Sequence, residues 1–365
     1  MTKPTIIALS IFGLLSLVTA IIISRSTSSE LQGLEETPPA EDPILALHTS
    51  TTTEKLPSLP ILASAMPAFQ GITKWWNTAD GQPLTPDKLK GKVVLVDFWT
   101  YSCINCIRTY PFLKTMYERY ADKGLVIIGV HTPEFAFEAE PENVGREIEK
   151  NGLKYAVALD PQYKTWNAYQ NRYWPAEYLF DQQSRLRRTH FGEGEYEQNE
   201  MAIRSLLEEG SMALQPMGQV VSAPDLSNIE TEETYFGLRR GSAFMGNPGT
   251  EGQELVYHGA KTPEPDTNRW ALDGTWKFEQ EYVEADSTNG IFRFNVQANA
   301  LHIVMESADG KDKTIEISVD GVVTERMKIN ASTLYTIATF PHDGRHTVQI
   351  KVLDPGVRFY AATFS

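Results

Sequence analysis

Two cysteines, Cys103 and Cys106, are the only thiols in the 365-residue chain. Both lie where one apolar pattern gives way to another. Before them, Val93-Val94-Leu95-Val96 reads as a buried strand rich in β-branched residues. After them, Ile107, Phe112, Leu113, Met116 and Tyr117 recur at helical spacing. A Cys-x-x-Cys pair at a strand-to-helix junction can work as a redox dithiol. The attacking species in disulfide exchange is the thiolate. The first turn of a helix has unpaired N–H groups and the positive end of the dipole, and both favour an anion. Cys103 falls at that turn and is assigned as the nucleophile. Cys106, one turn on, would resolve the mixed disulfide.

Other uses of two cysteines fit less well. A structural bridge closing so short a loop constrains little of the unfolded chain. A zinc site needs more ligands. His342 and His346 have metal-like spacing, but Asp343-Gly344 between them reads as a hairpin turn. No metal is expected, and no cofactor beyond the redox-active Cys103–Cys106 disulfide.

The elements that must hold the dithiol follow from the flanking patterns. A strand at 72–76 precedes a short helix capped by Thr85-Pro86-Asp87 and stopped by Gly91. Then come the central strand, the dithiol and a helix with Pro111 inside it, where a kink is expected. Leu125 to Val130 and Tyr155 to Leu159 read as strands, and Pro141 to Asn151 as a helix closed by Gly152. A short helix at 165–170, a hairpin around Gln182-Gln183-Ser184 and a helix from Glu197 to Glu209 complete an α/β layered domain. From Glu233 onward, short β-rich runs at 254–258, 270–282, 291–296, 301–306, 314–319, 334–340, 347–353 and 358–364 alternate with turns such as Asp309-Gly310 and Asp320-Gly321. This texture predicts an all-β sandwich.

Thr5 to Ser24 carries no charge and is dense in Ile, Leu, Val and Ala. Twenty such residues match one bilayer span. Residues 1–24 are therefore read as a signal anchor, or as a signal peptide cut after Val18-Thr19-Ala20. Residues 25–64, rich in Ser, Thr, Pro and Glu, read as a flexible linker. The remaining boundaries are 65–212 for the α/β domain, 213–232 for a second linker and 233–365 for the sandwich. The expected location is extracytoplasmic, on the periplasmic side and anchored to the inner membrane by residues 5–24. The net charge of −14 argues against a nucleic-acid partner.

Val96-Asp97-Phe98-Trp99, the Cys-x-x-Cys, Pro111 and Trp174-Pro175 before the hairpin resemble the thioredoxin superfamily, in its TlpA-like branch. The longer runs Phe98 to Cys106, Gly129 to Phe135, Trp166 to Tyr169, Tyr173 to Ala176 and Phe191 to Glu195 resemble the soluble C-terminal portions of DipZ-type proteins. The resemblance implies a thioredoxin-like domain followed by a jelly-roll sandwich similar to carbohydrate-binding modules. It implies that Asp97 is a buried carboxyl that takes and returns the Cys106 proton, against the alternative of a strand-end carboxylate facing solvent. It also implies a cis bond before Pro175, lying against the disulfide. DipZ-type proteins carry a multi-span domain of the CcdA type that feeds in electrons. Here one apolar segment stands, so such a donor would be a separate membrane protein.

Further residues are open to two readings. Trp99, Tyr101, Tyr173 and Trp174 could collar a polypeptide substrate or pack the core. Glu134 is either a second acid near the thiols or a loop carboxylate. Trp270, Trp276 and Tyr360 could be sugar platforms for glycan or envelope contact, or buried aromatics.

Three functions compete. The first is a thiol:disulfide oxidoreductase acting on extracytoplasmic protein disulfides; cytochrome c apoproteins, envelope enzymes and other redox carriers all fit as substrates. The second is a thiol peroxidase, since Thr100-Tyr101-Ser102-Cys103 mimics Thr-x-x-Cys, although Val96 stands where that family has proline. The third is a glycan- or envelope-binding protein with an accessory redox domain. Ile104 and Asn105 carry no charge and Asp97 adds negative potential, so the expected direction is reduction. The sandwich lacks cysteine, so residues 65–212 are expected to retain exchange activity alone.

Overall fold

The structure, a computed structural model, describes Leu56 and residues 58–223, 225–259, 268–341 and 344–365. The expected span at 5–24, most of the first linker, and His342 lie outside the described residues. Among those described, no helix is long and apolar enough to cross a membrane.

The first half contains β1 (Lys74–Trp76), α1 (Pro86–Leu89), β2 (Val93–Trp99), α2 (Ile104–Tyr120), β3 (Leu125–His131), α3 (Pro141–Asn151), β4 (Ala156–Leu159), α4 (Lys164–Ala168), β5 (Ala176–Phe180), β6 (Leu186–Phe191) and α5 (Tyr196–Glu209). Its sheet has the order β1-β4-β3-β2-β5-β6. β2 is parallel to β3, antiparallel to β5, and buried at every residue. Side chains alternate across a strand. Val94, Val96 and Phe98 therefore pack on one face with Trp166, Tyr169 and Tyr178. Val93, Leu95 and Trp99 pack on the other with Leu113 and Met116 of α2 and Ile203 of α5. Asp97 belongs by alternation to this second face.

Local chemistry sets the element ends. Thr85 Oγ1 caps α1 by accepting from the Lys88 N–H at 3.4 Å. α3 stops at Gly152, whose φ of +61° is left-handed and suits a residue without Cβ. α2 continues through Pro111 to Tyr120.

The second half contains β7 (Thr234–Tyr235), β8 (Glu254–His258), β9 (Trp270–Phe278), β10 (Val283–Ala285), β11 (Ile291–Val296), β12 (Ala300–Ser307), β13 (Lys313–Val319), β14 (Val322–Ile329), β15 (Thr333–Thr339), β16 (His346–Val352) and β17 (Val357–Phe364). They form one hydrogen-bonded eleven-stranded sheet folded over one core. β9 makes the turn between the two sides. Its first half pairs with β11 and its last with β10, and Gly274 between them has φ +90°. The sequence did not reveal β14, because its Thr324, Glu325, Arg326 and Lys328 blur the apolar alternation. It is an exposed, charged edge strand, as sheet edges commonly are.

Two expectations need correction. The first linker is not free to residue 64: Leu62 and Ala63 exchange backbone hydrogen bonds with Leu186, and Arg187 binds the Leu59 and Pro60 carbonyls. The β half does not stand apart either. Val304, Tyr360 and Ala361 belong to the core cluster of α2 and α3. Tyr360 packs on Phe135 and Phe137 with ring centroids 5.2 and 4.9 Å away.

Candidate active site

β2 ends at Trp99, and the turn Thr100-Tyr101-Ser102 carries the chain to Cys103, the N-cap of α2. Cys103 Sγ accepts from the Cys106 N–H at 3.4 Å, so one orphan donor of the helix end points at the sulfur. The two thiols are unlinked; Cys103 is partly exposed and Cys106 is buried. Burial, then the neighbouring Cys103 thiol, pushes the Cys106 thiol well up. Within this pair, only Cys103 presents its sulfur to a partner from solution.

Asp97 lies beneath Cys106 at 0% exposure, which excludes the solvent-facing reading. Neither of its carboxyl oxygens has a hydrogen-bond partner, and burial raises its pKa to about 7. The Tyr110 and Tyr155 hydroxyls beside it are likewise buried and unpartnered. A buried carboxyl without a hydrogen-bond partner therefore sits behind the buried thiol.

The Trp174–Pro175 bond is cis. Phe98 pairs with Ala176, so Pro175 lies at the end of β5 next to the dithiol turn. The four expected collar residues divide. Trp99 and Tyr101 are 0% and 1% exposed and offer a polypeptide no surface. Trp174 is half-buried, its indole donating to the Thr132 carbonyl at 3.1 Å. Tyr173 is 54% exposed and packs against exposed Phe191 at 5.2 Å.

Glu134 is not directed at the thiols. It accepts from Tyr235 Oη at 2.7 Å and pairs with Arg240 at 2.6 Å, so it clamps the β half onto the loop after β3. The expected sugar platforms are also occupied otherwise. Trp270 and Trp276 are fully buried, with indoles bonded to the Ser242 and Asp273 carbonyls, and Tyr360 donates to Glu306.

Four residues shape the site without having stood out in the sequence. Glu138 is fully buried; one oxygen accepts from the Ser102 N–H and hydroxyl, at 3.2 and 2.6 Å, and the other from the Glu134 and Phe135 N–H groups. It ties the dithiol turn to the loop after β3, and burial raises its pKa to about 7. His131 Nε2 accepts from the Tyr101 N–H at 3.3 Å, which places the ring proton on Nδ1, and burial lowers its pKa to about 3. Arg108 on α2 is held by both Glu193 oxygens and donates to the Phe364 carbonyl at 3.0 Å. Glu177 stands opposite Asp97 on β5. One signal was available for it: a lone carboxylate in the otherwise uncharged run Ala176–Phe180.

Comparison with known proteins agrees with this geometry. The family model described as Redoxin matches residues 62–202, and that described as Thioredoxin like C-terminal domain matches residues 231–365. Protein DipZ of Mycobacterium bovis is 38% identical over 262 residues, covering 69% of this chain and 37% of that protein. The thiol-disulfide oxidoreductase YkuV of Bacillus subtilis is 27% identical over 133 residues, covering 36% of this chain and 86% of that protein. A solved thioredoxin-like protein in its oxidised form is 26% identical with a TM-score of 0.37, covering 40% of this chain and 97% of its own. This chain thus spans little more than a third of the length of DipZ. With a Redoxin match over a dithiol at the N-terminus of a helix, beside a central strand, residues 62–202 are a domain of the thioredoxin superfamily, followed by one that matches the thioredoxin-like C-terminal model.

Proposed function

We propose that this protein reduces disulfides in extracytoplasmic polypeptides. The observation that carries the reading is the asymmetry of the pair: Cys103 is partly exposed at the helix cap, and Cys106 is buried above an unpartnered Asp97. The Cys103 thiolate attacks a substrate disulfide, one substrate sulfur leaves as a thiol after gaining a proton, and a mixed disulfide remains. Cys106 gives its proton to Asp97 and attacks the Cys103 sulfur. The second substrate thiol is released, and the Cys103–Cys106 disulfide now holds the oxidation. Pro175, beside the dithiol turn by the β2–β5 register, offers backbone for an extended substrate, flanked by exposed Tyr173.

The extracytoplasmic setting rests on the apolar segment Thr5 to Ser24. Regeneration needs two electrons per turnover, and a membrane donor of the CcdA type is the proposed source. A glycan-binding role for the β half finds no platform in buried Trp270, Trp276 or Tyr360.

Mass spectrometry of proteins trapped on Cys106→Ala tests the reading. Mixed disulfides should accumulate on this variant and be absent from Cys103→Ala. Equal trapping by both would overturn the assignment of roles.

A further inference from the structure

The proposed exchange leaves one proton on Asp97 at each turnover. That proton came from Cys106, and it must leave before Asp97 can act again. Asp97 is fully buried and faces no solvent.

We propose that Asp97, Glu177 and His190 form a row of proton carriers that leads from the buried thiol to the open end of the sheet. The row follows from strand register. Asp97 of β2 stands opposite Glu177 of β5, and Glu177 stands opposite His190 of β6. Directly opposed residues in antiparallel pairs point to the same face, with Cβ atoms about 5 Å apart. Three titratable side chains thus lie side by side across three neighbouring strands, and β6 is the last strand on that side.

Hydrogen bonds orient the outer part of the row. Arg188 Nε can only donate, and it donates to Asn199 Oδ1 at 2.8 Å. The Asn199 amide nitrogen is therefore turned to Glu177 Oε2, at 3.0 Å. Glu177, Arg188, His190 and Asn199 line a cavity of about 10 Å³, at the lower limit for one water. The His190 ring is suited to pass a proton through. Its Nε2 is buried without a partner, while Nδ1 faces the exposed carboxylate of Glu195 at 3.5 Å. A proton taken at Nε2 can be released from Nδ1.

Each carrier is also subject to the groups that face it. Asp97 is faced by Cys106 and Tyr110 of α2, by Tyr155 and by Glu177. Burial, and then Asp97, raises Glu177 to about 8. Arg188 opposes that rise, and Tyr155 and Tyr196 are its other titratable neighbours. Burial lowers His190, while Glu195 raises it and Arg188 lowers it. Asp97 and Glu177 each lose their charge on taking the proton and regain it on passing it on, and His190 is cationic only between uptake at Nε2 and release from Nδ1. Electrons stay with the sulfurs; the row moves only the proton that Cys106 loses.

This inference rests on the exchange reading, and the test separates the two. The mixed disulfide of Cys103 with a small peptide is formed, and its resolution by Cys106 is followed by stopped flow across pH. Glu177→Gln and His190→Gln should slow resolution at neutral pH by about threefold to tenfold. Glu177→Gln should also move the pH midpoint down by about one unit, because a neighbouring carboxylate no longer opposes ionisation of Asp97. Added imidazole should restore part of the rate in His190→Gln. Alkylation of Cys103, which does not use the row, should be unchanged. If resolution and its pH midpoint match wild type in both variants, or if alkylation falls in step with resolution, the row is not a proton path. Should Glu177→Gln fail to fold, His190→Gln at the sheet end decides alone. If the wild-type protein turns over no disulfide, the exchange reading has failed instead.

Discussion

Tyr101 Oη donates to the Ser332 carbonyl at 3.0 Å, so the residue two places before the nucleophile is fastened to the loop between β14 and β15. Arg108 repeats the arrangement two residues after Cys106, with its bond to the Phe364 carbonyl. Both ends of the dithiol turn are thus tied to the β half. The expectation that residues 65–212 would suffice is replaced by its opposite. Cutting the chain there would expose Tyr101, Phe135 and Phe137, which are 1%, 3% and 7% exposed in the whole protein. Residues 58–212 alone should unfold at lower urea and lose most of their exchange rate on a peptide disulfide. In the full chain, Tyr101→Phe should cost about 1 kcal/mol, the net worth of one hydrogen bond. A fragment as stable and as fast as the whole protein would show that the β half is only a neighbour.

Glu138 should matter more than its distance in sequence implies. Its two oxygens serve three N–H groups and a hydroxyl. Glu138→Ala would orphan them in a buried site and should destabilise by about 2–4 kcal/mol. Glu138→Gln should help little, because an amide nitrogen would then face N–H donors. Urea unfolding of both variants, with the alkylation rate of Cys103, checks this. A Glu138→Gln variant of wild-type stability would refute it.

Asp97 gives a pH test with a definite sign. Its carboxyl is raised to about 7 by burial, from 3.8 in an open chain. Between those values the folded protein holds a proton that the unfolded chain has released, so stability falls as pH rises through that window. Glu177, raised to about 8, acts in the same direction. Asp97→Asn removes the penalty and should be more stable than wild type at pH 8.5, by up to about 4 kcal/mol, with little difference at pH 4. Chemical unfolding at the two pH values measures it. The same substitution should slow resolution of a mixed disulfide by about tenfold or more. Equal stability of the two proteins at high pH would mean that Asp97 is not held protonated.

The parts of the site that could be read from the sequence are those fixed by local pattern. The β2 run, the two cysteines and the start of α2 are contiguous, so their arrangement follows from strand and helix periodicity. The end of α3 at Gly152 could be read for the same reason. Glu177 and His190 could not be placed, because their meaning lies in which strands pair and at what register. A shift of one residue would turn both to the other face. Glu138 was hidden in the same way: its partners Ser102 and Glu134 come from separate loops. Tyr360 and Glu134 show the converse limit. An aromatic and a carboxylate that looked like ligand groups are used up in packing and pairing one half of the chain against the other.

The last prediction concerns direction. A strong oxidant raises its potential by stabilising the thiolate of its reduced form. At Cys103 the sulfur accepts one backbone N–H, from Cys106 at 3.4 Å. Arg108 is near in sequence, but Glu193 engages its guanidinium through both oxygens, so its charge is largely spent. Asp97 and Glu138 add negative potential whenever they ionise. The disulfide form is then the favoured one, and the protein should reduce its partners. Equilibration with glutathione should give a potential near that of thioredoxin, about −270 mV, and far from the strong oxidants near −120 mV. Glu193→Gln offers an internal check. Freeing Arg108 should raise the potential by up to about 30 mV, the equivalent of about 1.4 kcal/mol for a two-electron couple. A wild-type value near −120 mV would reverse the direction proposed here, and a potential unmoved in Glu193→Gln would show that Arg108 has no hold on the dithiol.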